Sequence, residues 1–403
     1  MTPGQSLRGH FADLIAIELP REGAFNMNKE LDEKYMRRAL DLAVRGEGRV
    51  NPNPLVGAVI VRDGRIIGEG YHRKYGELHA ERNALNDADR RAGTNHSARN
   101  ADMYVTLEPC CHYGKTPPCT DAIIQAGIRR VVVGTTDPNL KVAGKGIKQL
   151  KDHGIEVVNG MLQDECRRIN GVFFHYINTE TPYVMMKYAE TMDGKIAAYT
   201  GESRWITADS ARAKVQCDRN KYTGIMVGVG TVIKDNPRLN CRMDGGRDPI
   251  RIICDSNLRT PLDSYVVESA DKQMTIIATC CNDKRIHRLY IEKNCVIIET
   301  EAKYYKHDGC SRVDLNHLMR VLGHKGIDGI LLEGGGALNA SALQAGIVNR
   351  VQAYIAPKIM GGDGINPVAA MRLKNPDEAF KLKNIEIFKI GDDVLIEADI
   401  DGR

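Results

Sequence analysis

The feature that most constrains this chain is a set of metal-ligating side chains in two separated segments. They are His79-Ala80-Glu81 and the run Leu107-Glu108-Pro109-Cys110-Cys111-His112-Tyr113-Gly114-Lys115-Thr116-Pro117-Pro118-Cys119. His79, Cys110 and Cys119 offer one imidazole and two thiolates. Three protein ligands leave a fourth tetrahedral position for water, the count of a catalytic rather than a structural zinc site. Glu81, two residues beyond the histidine, is placed to reach that water without binding the metal and to move protons as a general acid and base. Whatever the fold, it has to bring His79 beside both cysteines.

Zinc nucleobase deaminases combine His-x-Glu with Pro-Cys-x-x-Cys: a metal-activated water attacks an amidine-like ring carbon and the glutamate serves the departing ammonia. Here the third position after Cys110 is Tyr113, so the second thiolate is assigned to Cys119, at the end of a longer loop. Inserted residues can line a pocket. His112 and Lys115 are candidates to meet an anionic group of a substrate, and Pro117-Pro118 stiffens the return to the metal. Cys111 abuts a ligand, but neighbours in a turn point apart, and it is read as a bystander. A lone histidine or cysteine pair is ordinary packing; the case for zinc rests on three ligand types, the nearby glutamate and the strand-turn-helix context together.

With 403 residues, two domains are expected, each with its own core. A hydrophobic content of 42% and a charged content of 27% fit a globular protein, and a net charge of +4 is too small to argue for nucleic acid or a membrane surface. No apolar run approaches the roughly 20 residues needed to span a bilayer. Eleven cysteines without a secretory signal point to free thiols in a reducing compartment, hence the cytoplasm.

Along the chain, residues 1–26 read as a poorly ordered extension, with Met27 just ahead of an amphipathic helix over Leu31 to Val44. Asn51-Pro52-Asn53-Pro54-Leu55-Val56-Gly57 precedes a hairpin signal, and Asn53 by itself reads as a turn residue satisfying its own backbone. His79 opens a helix to about Ala92. The strand Met103 to Leu107 leads to Cys110, and a helix over Thr120 to Ala126 follows Cys119. Helix N-termini favour thiolates, so two helix openings facing each other can hold the metal. After the strand from Arg130, the glycine-rich helix start Val142 to Gly146 can receive phosphate, with Lys141 and Lys145 either its partners or plain solvated lysines. A strand over Ile155 to Val158 completes an alternating pattern that predicts a layered α/β/α unit over 27–178, with 179–403 as a second domain.

In the second half, a strand at Pro182 to Lys187 precedes the Ser203-Arg204-Trp205 segment and a helix from Ser210 to Asn220; by itself, Trp205 reads as core. A strand ending in Gly228-Val229-Gly230-Thr231 leads to Asp235. Gly329 to Leu332 reads as a buried strand entering Gly334-Gly335-Gly336, where backbone N–H groups can approach a pyrophosphate or simply turn tightly. The Gly-x-Gly-x-x-Gly dinucleotide spacing is absent.

Taken in order, these segments resemble the bifunctional riboflavin biosynthesis deaminase-reductase family, from about Met27 to Ile400. The resemblance is carried by His79-Ala80-Glu81 and Tyr104 to Cys119 in the first half, and by the strand-turn segments of the second. It implies a cytidine-deaminase-like α/β/α sandwich followed by a dihydrofolate-reductase-like α/β domain that uses NADPH. It implies deamination of 2,5-diamino-6-ribosylamino-4(3H)-pyrimidinone 5′-phosphate with one zinc ion, then reduction of the ribosyl group to ribityl. Carried over residue by residue, it places Asn53 at the base. It places Ala189, Trp205, Thr231, Asp235, Ser256, Gly335, Gly336, Ala337, Leu338, Asn339, Ala340 and Ser341 at the cofactor. Ser203, Arg219, Leu239, Arg242 and Glu333 are placed at the substrate, the two arginines suited to its phosphate. Asn240 and Glu190-Thr191-Met192 depart from the family pattern. Asp235, beside the expected pocket, is a candidate for proton delivery. The expected partners are pyrimidine ribose phosphates and further copies of the chain, with no nucleic acid or membrane. Two other readings stay open: a zinc deaminase of free bases, nucleosides or RNA, and a structural zinc module fused to a nucleotide-sensing domain.

Overall fold

The computed structural model describes residues 22–113, 117–139, 142–305 and 310–401. The first sheet is assembled from residues 57–159. Its elements in chain order are α1 (Glu22–Ala43), β1 (Gly57–Arg62), β2 (Arg65–Tyr71), α2 (Ala80–Ala92), β3 (Asp102–Leu107), α3 (Cys119–Gln125), β4 (Arg130–Thr135), α4 (Lys145–Asp152) and β5 (Glu156–Asn159). Two short helices, α5 (Gln163–Ile169) and α6 (Gly171–Thr179), follow. The strand order is β2-β1-β3-β4-β5, with β1 antiparallel to β2 and β3 and the rest parallel. Helix α1 begins at Glu22, well before Leu31, so residues 22–26 of the expected extension are helical; residues 1–21 lie outside the described residues.

Alternation along each strand sends side chains to two cores. On one face Tyr35, Met36, Ala39 and Leu42 of α1 pack on Val59, Val61, Tyr104 and Val132. On the other, Ala80, Ala84, Leu85 and Ala88 of α2 meet Ala58, Ile60, Met103 and Val105, together with Ile123 of α3 and Leu150 of α4. Helix α1 is pinned by the buried Asp32, which accepts the Tyr104 hydroxyl at 2.7 Å and a two-pronged contact from Arg130 at 3.0 and 2.6 Å. It also runs against β1 at backbone contact. A Cβ on Gly57 would stand 1.9 Å from the Ala39 carbonyl oxygen, which leaves room for glycine alone.

Residues 183–400 supply a nine-stranded sheet and a small hairpin. The elements are β6 (Tyr183–Thr191), α7 (Asp209–Lys221), β7 (Gly224–Gly228), α8 (Val229–Asp235), β8 (Ile250–Cys254), α9 (Tyr265–Glu268), β9 (Thr275–Thr279) and α10 (Lys284–Ile291). They continue with β10 (Val296–Glu299), the hairpin β11 (Ala302–Tyr305) and β12 (Cys310–Val313), α11 (Leu315–His324), β13 (Gly329–Gly334) and α12 (Gly336–Ala345). Strands β14 (Arg350–Ala356), β15 (Leu382–Ile390) and β16 (Asp393–Ile400) close the chain. The sheet order is β10-β9-β8-β7-β13-β6-β14-β16-β15, parallel as far as β14 and antiparallel beyond.

Its central strands are buried on both faces, which explains their unbroken aliphatic runs. Val184, Met186, Met226, Ile252, Ile330 and Leu332 face α11 and α12; Ile225, Val227, Ile253 and Ile277 face α9 and α10. Strands β7 and β13 are neighbours, and both run straight into helices. Their carboxyl ends therefore open a crevice of the kind that receives ligands in parallel α/β sheets.

The halves meet at polar contacts: Asn51 with Asp328 at 2.7 Å, Lys221 with Glu47 at 2.9 Å and Arg168 with Glu386 at 2.6 Å. Among the described residues no helix is long and apolar enough to cross a membrane. Gly57→Ala is expected to destabilise the protein by about 1–3 kcal/mol, because the added methyl has to lift α1 from β1. A urea titration with an unchanged midpoint would contradict that close approach.

Candidate active sites

The fold gathers the three ligands through two helix starts and one strand end. His79, extended, caps α2; Cys119 is the first residue of α3; Cys110 lies just past β3. The Cys110 and Cys119 sulfurs stand 3.5 and 3.4 Å from His79 Nδ1, and the three ligand atoms lie within 4.8 Å of one another. The Cys119 N–H donates to the Cys110 sulfur at 3.4 Å. Cys111 is outside the cluster.

The loop carrying Cys110 is held by its neighbour. The buried Glu108 carboxylate accepts N–H bonds from Asp137, Gly144, Gly146 and Ile147 at 2.9–3.2 Å, which also satisfies the opening turn of α4. Gly146 passes so close that a Cβ there would lie 2.1 Å from the Pro109 carbonyl oxygen. Thr120 adds two bonds to the Cys110 carbonyl, at 3.2 Å from its N–H and 3.3 Å from its hydroxyl.

The protein atoms alone set unusual charges here. A hydrogen bond from Cys119, assisted by His79, pulls the Cys110 thiol down to about 4, and the same bond pushes Cys119 up. Glu81 is 3% exposed; burial first, and then the Cys110 charge, push its carboxyl up to about 7. A dication among the sulfurs would reinforce the lowering of Cys110 and oppose the raising of Cys119 and Glu81. One nitrogen and two sulfurs in a buried cluster suit zinc, and among the described residues the donor set stops at three.

The cluster forms part of the wall of a cavity of about 310 Å³, with Glu81, Asn53, His72, His112 and Asp137 also in its lining. His72, which carries no local signal in the sequence, is buried, and burial lowers its pKa. Its Nδ1 lies 3.2 Å from the Leu78 carbonyl and its Nε2 3.3 Å from Asn53 Nδ2. One neutral tautomer satisfies both contacts, donating at Nδ1 and accepting at Nε2. The Asn53 amide is thereby aimed, with its Oδ1 as the end left to a ligand. Lys145 is the first residue of α4. Lys115 and Lys141 lie outside the described residues.

A second cavity, of about 700 Å³, occupies the crevice beyond β7 and β13. Thr231, Asp235, Ser256, Gly335, Gly336, Ala337, Leu338 and Ser341 line it, as do Ser203 and Glu333. Gly335 has φ +88°, a left-handed turn between strand and helix that favours glycine. Asn339 and Ala340 sit inside α12; Asn339 donates to the Pro367 carbonyl at 2.8 Å and so tethers the facing loop. Ala189 packs with Ala211, Val215, Tyr354 and Leu395. Trp205 is not core, as its residue type alone suggests. It is 62% exposed, with the Arg212 guanidinium 4.4 Å from its ring centre, a stacking that gives the indole a partner at the surface.

Of the remaining expected substrate residues, Leu239 is buried in the core beside β7, and Arg242 is exposed, its N–H bonded to Gln216 at 3.0 Å. Arg219 makes a two-pronged pair with Glu333 at 2.8 and 2.7 Å and donates to the Asn240 carbonyl at 3.0 Å. Burial opposes the Glu333 charge, but the Arg219 guanidinium outweighs it and holds that carboxyl below its ordinary range. Lys187 of β6 was not anticipated. Its ammonium lies 5.5 Å over the Tyr354 ring, and burial depresses its pKa against the pull of Glu333. A lysine so placed beside a carboxylate can hold or hand over a proton.

Comparison with known proteins agrees with both halves. Residues 29–135 match the cytidine and deoxycytidylate deaminase zinc-binding region, and residues 182–396 match the RibD C-terminal domain. The riboflavin biosynthesis protein RibD of Actinobacillus pleuropneumoniae is 49% identical over 384 residues, 95% of this chain and 98% of that one. The structure of Acinetobacter baumannii RibD superposes with a TM-score of 0.80 at 33% identity, covering 93% of this chain and 99% of that one. The diaminohydroxyphosphoribosylaminopyrimidine deaminase/5-amino-6-(5-phosphoribosylamino)uracil reductase of Thermotoga maritima gives 0.78 at 37% identity, covering 93% and 100%. A zinc-type His/Cys/Cys cluster in one half, a crevice beyond a parallel sheet in the other, and similarity along nearly the whole length lead to one conclusion: this chain belongs to the RibD family of bifunctional riboflavin biosynthesis deaminase-reductases.

Proposed function

We propose that the first half deaminates 2,5-diamino-6-ribosylamino-4(3H)-pyrimidinone 5′-phosphate and that the second reduces the ribosyl group of the product to ribityl with NADPH. The observation that carries this reading is the buried Glu81 in one cavity wall with the His79, Cys110 and Cys119 cluster, on the same chain as a crevice large enough for a dinucleotide. When bound by His79, Cys110 and Cys119, zinc supplies the Lewis acidity that brings the pKa of water towards about 7. Glu81 takes the proton from the attacking water and returns it to the leaving amine. Buried in the cavity wall, its carboxyl serves both transfers, first as general base and then as general acid. Asn53, aimed by His72, holds the ring by an acceptor contact, while His112 and Lys115 serve the anionic end.

In the second half, NADPH supplies the hydride when it lies along Thr231, Ser256 and the Gly335 to Ser341 turn. Lys234, Arg259 and Arg312 on the cavity wall support an anionic nucleotide there. Glu333 and Arg219 orient the sugar, and Lys187 with Asp235 provides for the proton that accompanies reduction. The eleven free cysteines support the cytoplasm as the compartment. The edge strand β15 leaves Leu382, Ile385, Ile387 and Phe388 exposed, which supports a homo-oligomer.

Incubating protein, zinc, the pyrimidine phosphate and NADPH should yield ammonia and NADP together; ammonia from cytidine or tRNA in preference to the pyrimidine phosphate would favour a different substrate. Glu81→Gln is expected to slow ammonia release by about 10²- to 10⁴-fold with zinc content unchanged, and release at the wild-type rate would remove Glu81 from its role. Stripping zinc with a chelator should abolish ammonia release while NADPH oxidation continues on the pre-deaminated pyrimidine. Loss of both activities on chelation would contradict two separate centres.

A further inference from the structure

The segment that brings Asn53 to the deaminase cavity is held from two sides. Within its own half, Asn170 brackets Leu55, accepting its N–H at 2.7 Å and donating to its carbonyl at 2.9 Å. From the other half comes Asp328, which immediately precedes β13 and is 2% exposed. One Asp328 oxygen accepts the Asn51 side-chain amide at 2.7 Å, and the other accepts the Thr223 hydroxyl. The Arg247 Nε and Nη2 are buried without a hydrogen-bond partner, and burial lowers the pKa of that guanidinium, with Asp328 opposing the shift. Between the halves a small cavity is lined by Asn51, Asp328 and Lys221, and it shares Asn53 and Phe173 with the deaminase cavity.

We propose that Asp328, a residue of the reductase half, is a positioning residue for deamination. It touches no substrate atom. It fixes Asn51 by a charge-assisted hydrogen bond inside a buried seam, and Asn51 stands two residues from Asn53, whose own N–H is already tied to the Val50 carbonyl at 2.8 Å. The turn from Val50 to Leu55 is thereby clamped at Asn51 by one half of the chain and at Leu55 by the other. Without the Asp328 anchor, Asn53 loses its register against Glu81 and the metal ligands. A misplacement of about 1 Å in a substrate-positioning group can cost up to about 100-fold in rate. The deaminase pocket is then complete only when the reductase half is docked against it.

The proposal rests on the deaminase reading, and its test separates the two. In the full-length zinc enzyme, ammonia release is measured for wild type, Asp328→Ala, Asp328→Asn, Asn51→Ala and the Asn51→Ala/Asp328→Ala double variant. Glu47→Gln serves as a control that breaks a different contact of the seam. Asp328→Ala should raise the deamination KM about tenfold, the loss of one buried charged hydrogen bond, with a smaller effect on kcat. NADPH oxidation on the pre-deaminated pyrimidine should stay within about twofold, since the crevice lies at the other end of β13. The double variant should be no worse than either single one, Asp328→Asn should recover part of the loss by keeping an acceptor, and Glu47→Gln should resemble wild type. Additive losses in the double variant, an unchanged KM in Asp328→Ala, or an equal fall of both activities with a lower Tm would overturn the assignment. A wild-type enzyme that releases no ammonia would overturn the functional reading and this proposal with it.

Discussion

The deaminase centre depends on the carboxylate of Glu108. Its four backbone N–H bonds join the end of β3 to the start of α4, and the residue two positions on is Cys110. A loop carrying two polar turns and a metal ligand has no strand pairing of its own to define it. An ion that accepts from four amides gives it one conformation, and burial makes those bonds hard to exchange for water. With Cys110 fixed this way, the capping position of His79 on α2 and the first turn of α3 bring the other two ligands to it. Gly146 completes the arrangement by letting α4 come to backbone contact with Pro109.

The reductase crevice follows from a different constraint. Parallel strands buried on both faces leave only their carboxyl ends for chemistry, and β7 and β13 turn there into helices α8 and α12. The charged residues at this end are not independent. Arg219 is held by Glu333 through two hydrogen bonds, so it stands as half of an ion pair rather than as a free cation. Lys187, whose pKa burial depresses against the pull of Glu333, belongs to the same charged group.

Much of this was legible in the residues themselves. His79, Glu81, Cys110 and Cys119 could be read because metal ligands are few in kind, and because their places at a helix start and a strand end leave local signals. Strands β1, β3, β4 and β5 of the first sheet and β6, β7 and β13 of the second could be read from aliphatic runs bounded by turn residues, whereas β8 to β10 and β14 to β16 were not read. What stayed hidden was whatever depends on a distant partner. His72 gains meaning only from the Leu78 carbonyl and Asn53, and Lys187 is one polar position in an apolar strand until Glu333 is seen beside it. Asp328 lies in a short connection before β13, and its partner Asn51 is far away in the chain. Trp205 misled for the converse reason: its size suggests a core, but Arg212 gives it a surface on which to lie.

Strand β13 runs between the two chemistries, with Asp328 at its entry against the deaminase loop and Glu333 near its exit in the crevice. An extended chain rises about 3.3 Å per residue, so these ends stand roughly 16 Å apart. Parallel partners pair with both edges of this strand from Ile330 to Leu332, and the pairing with β7 shifts register before Gly334. Its paired stretch behaves as a fixed strut between the seam and the crevice, so the spacing of Asp328 from Glu333 is set by one short rod of backbone.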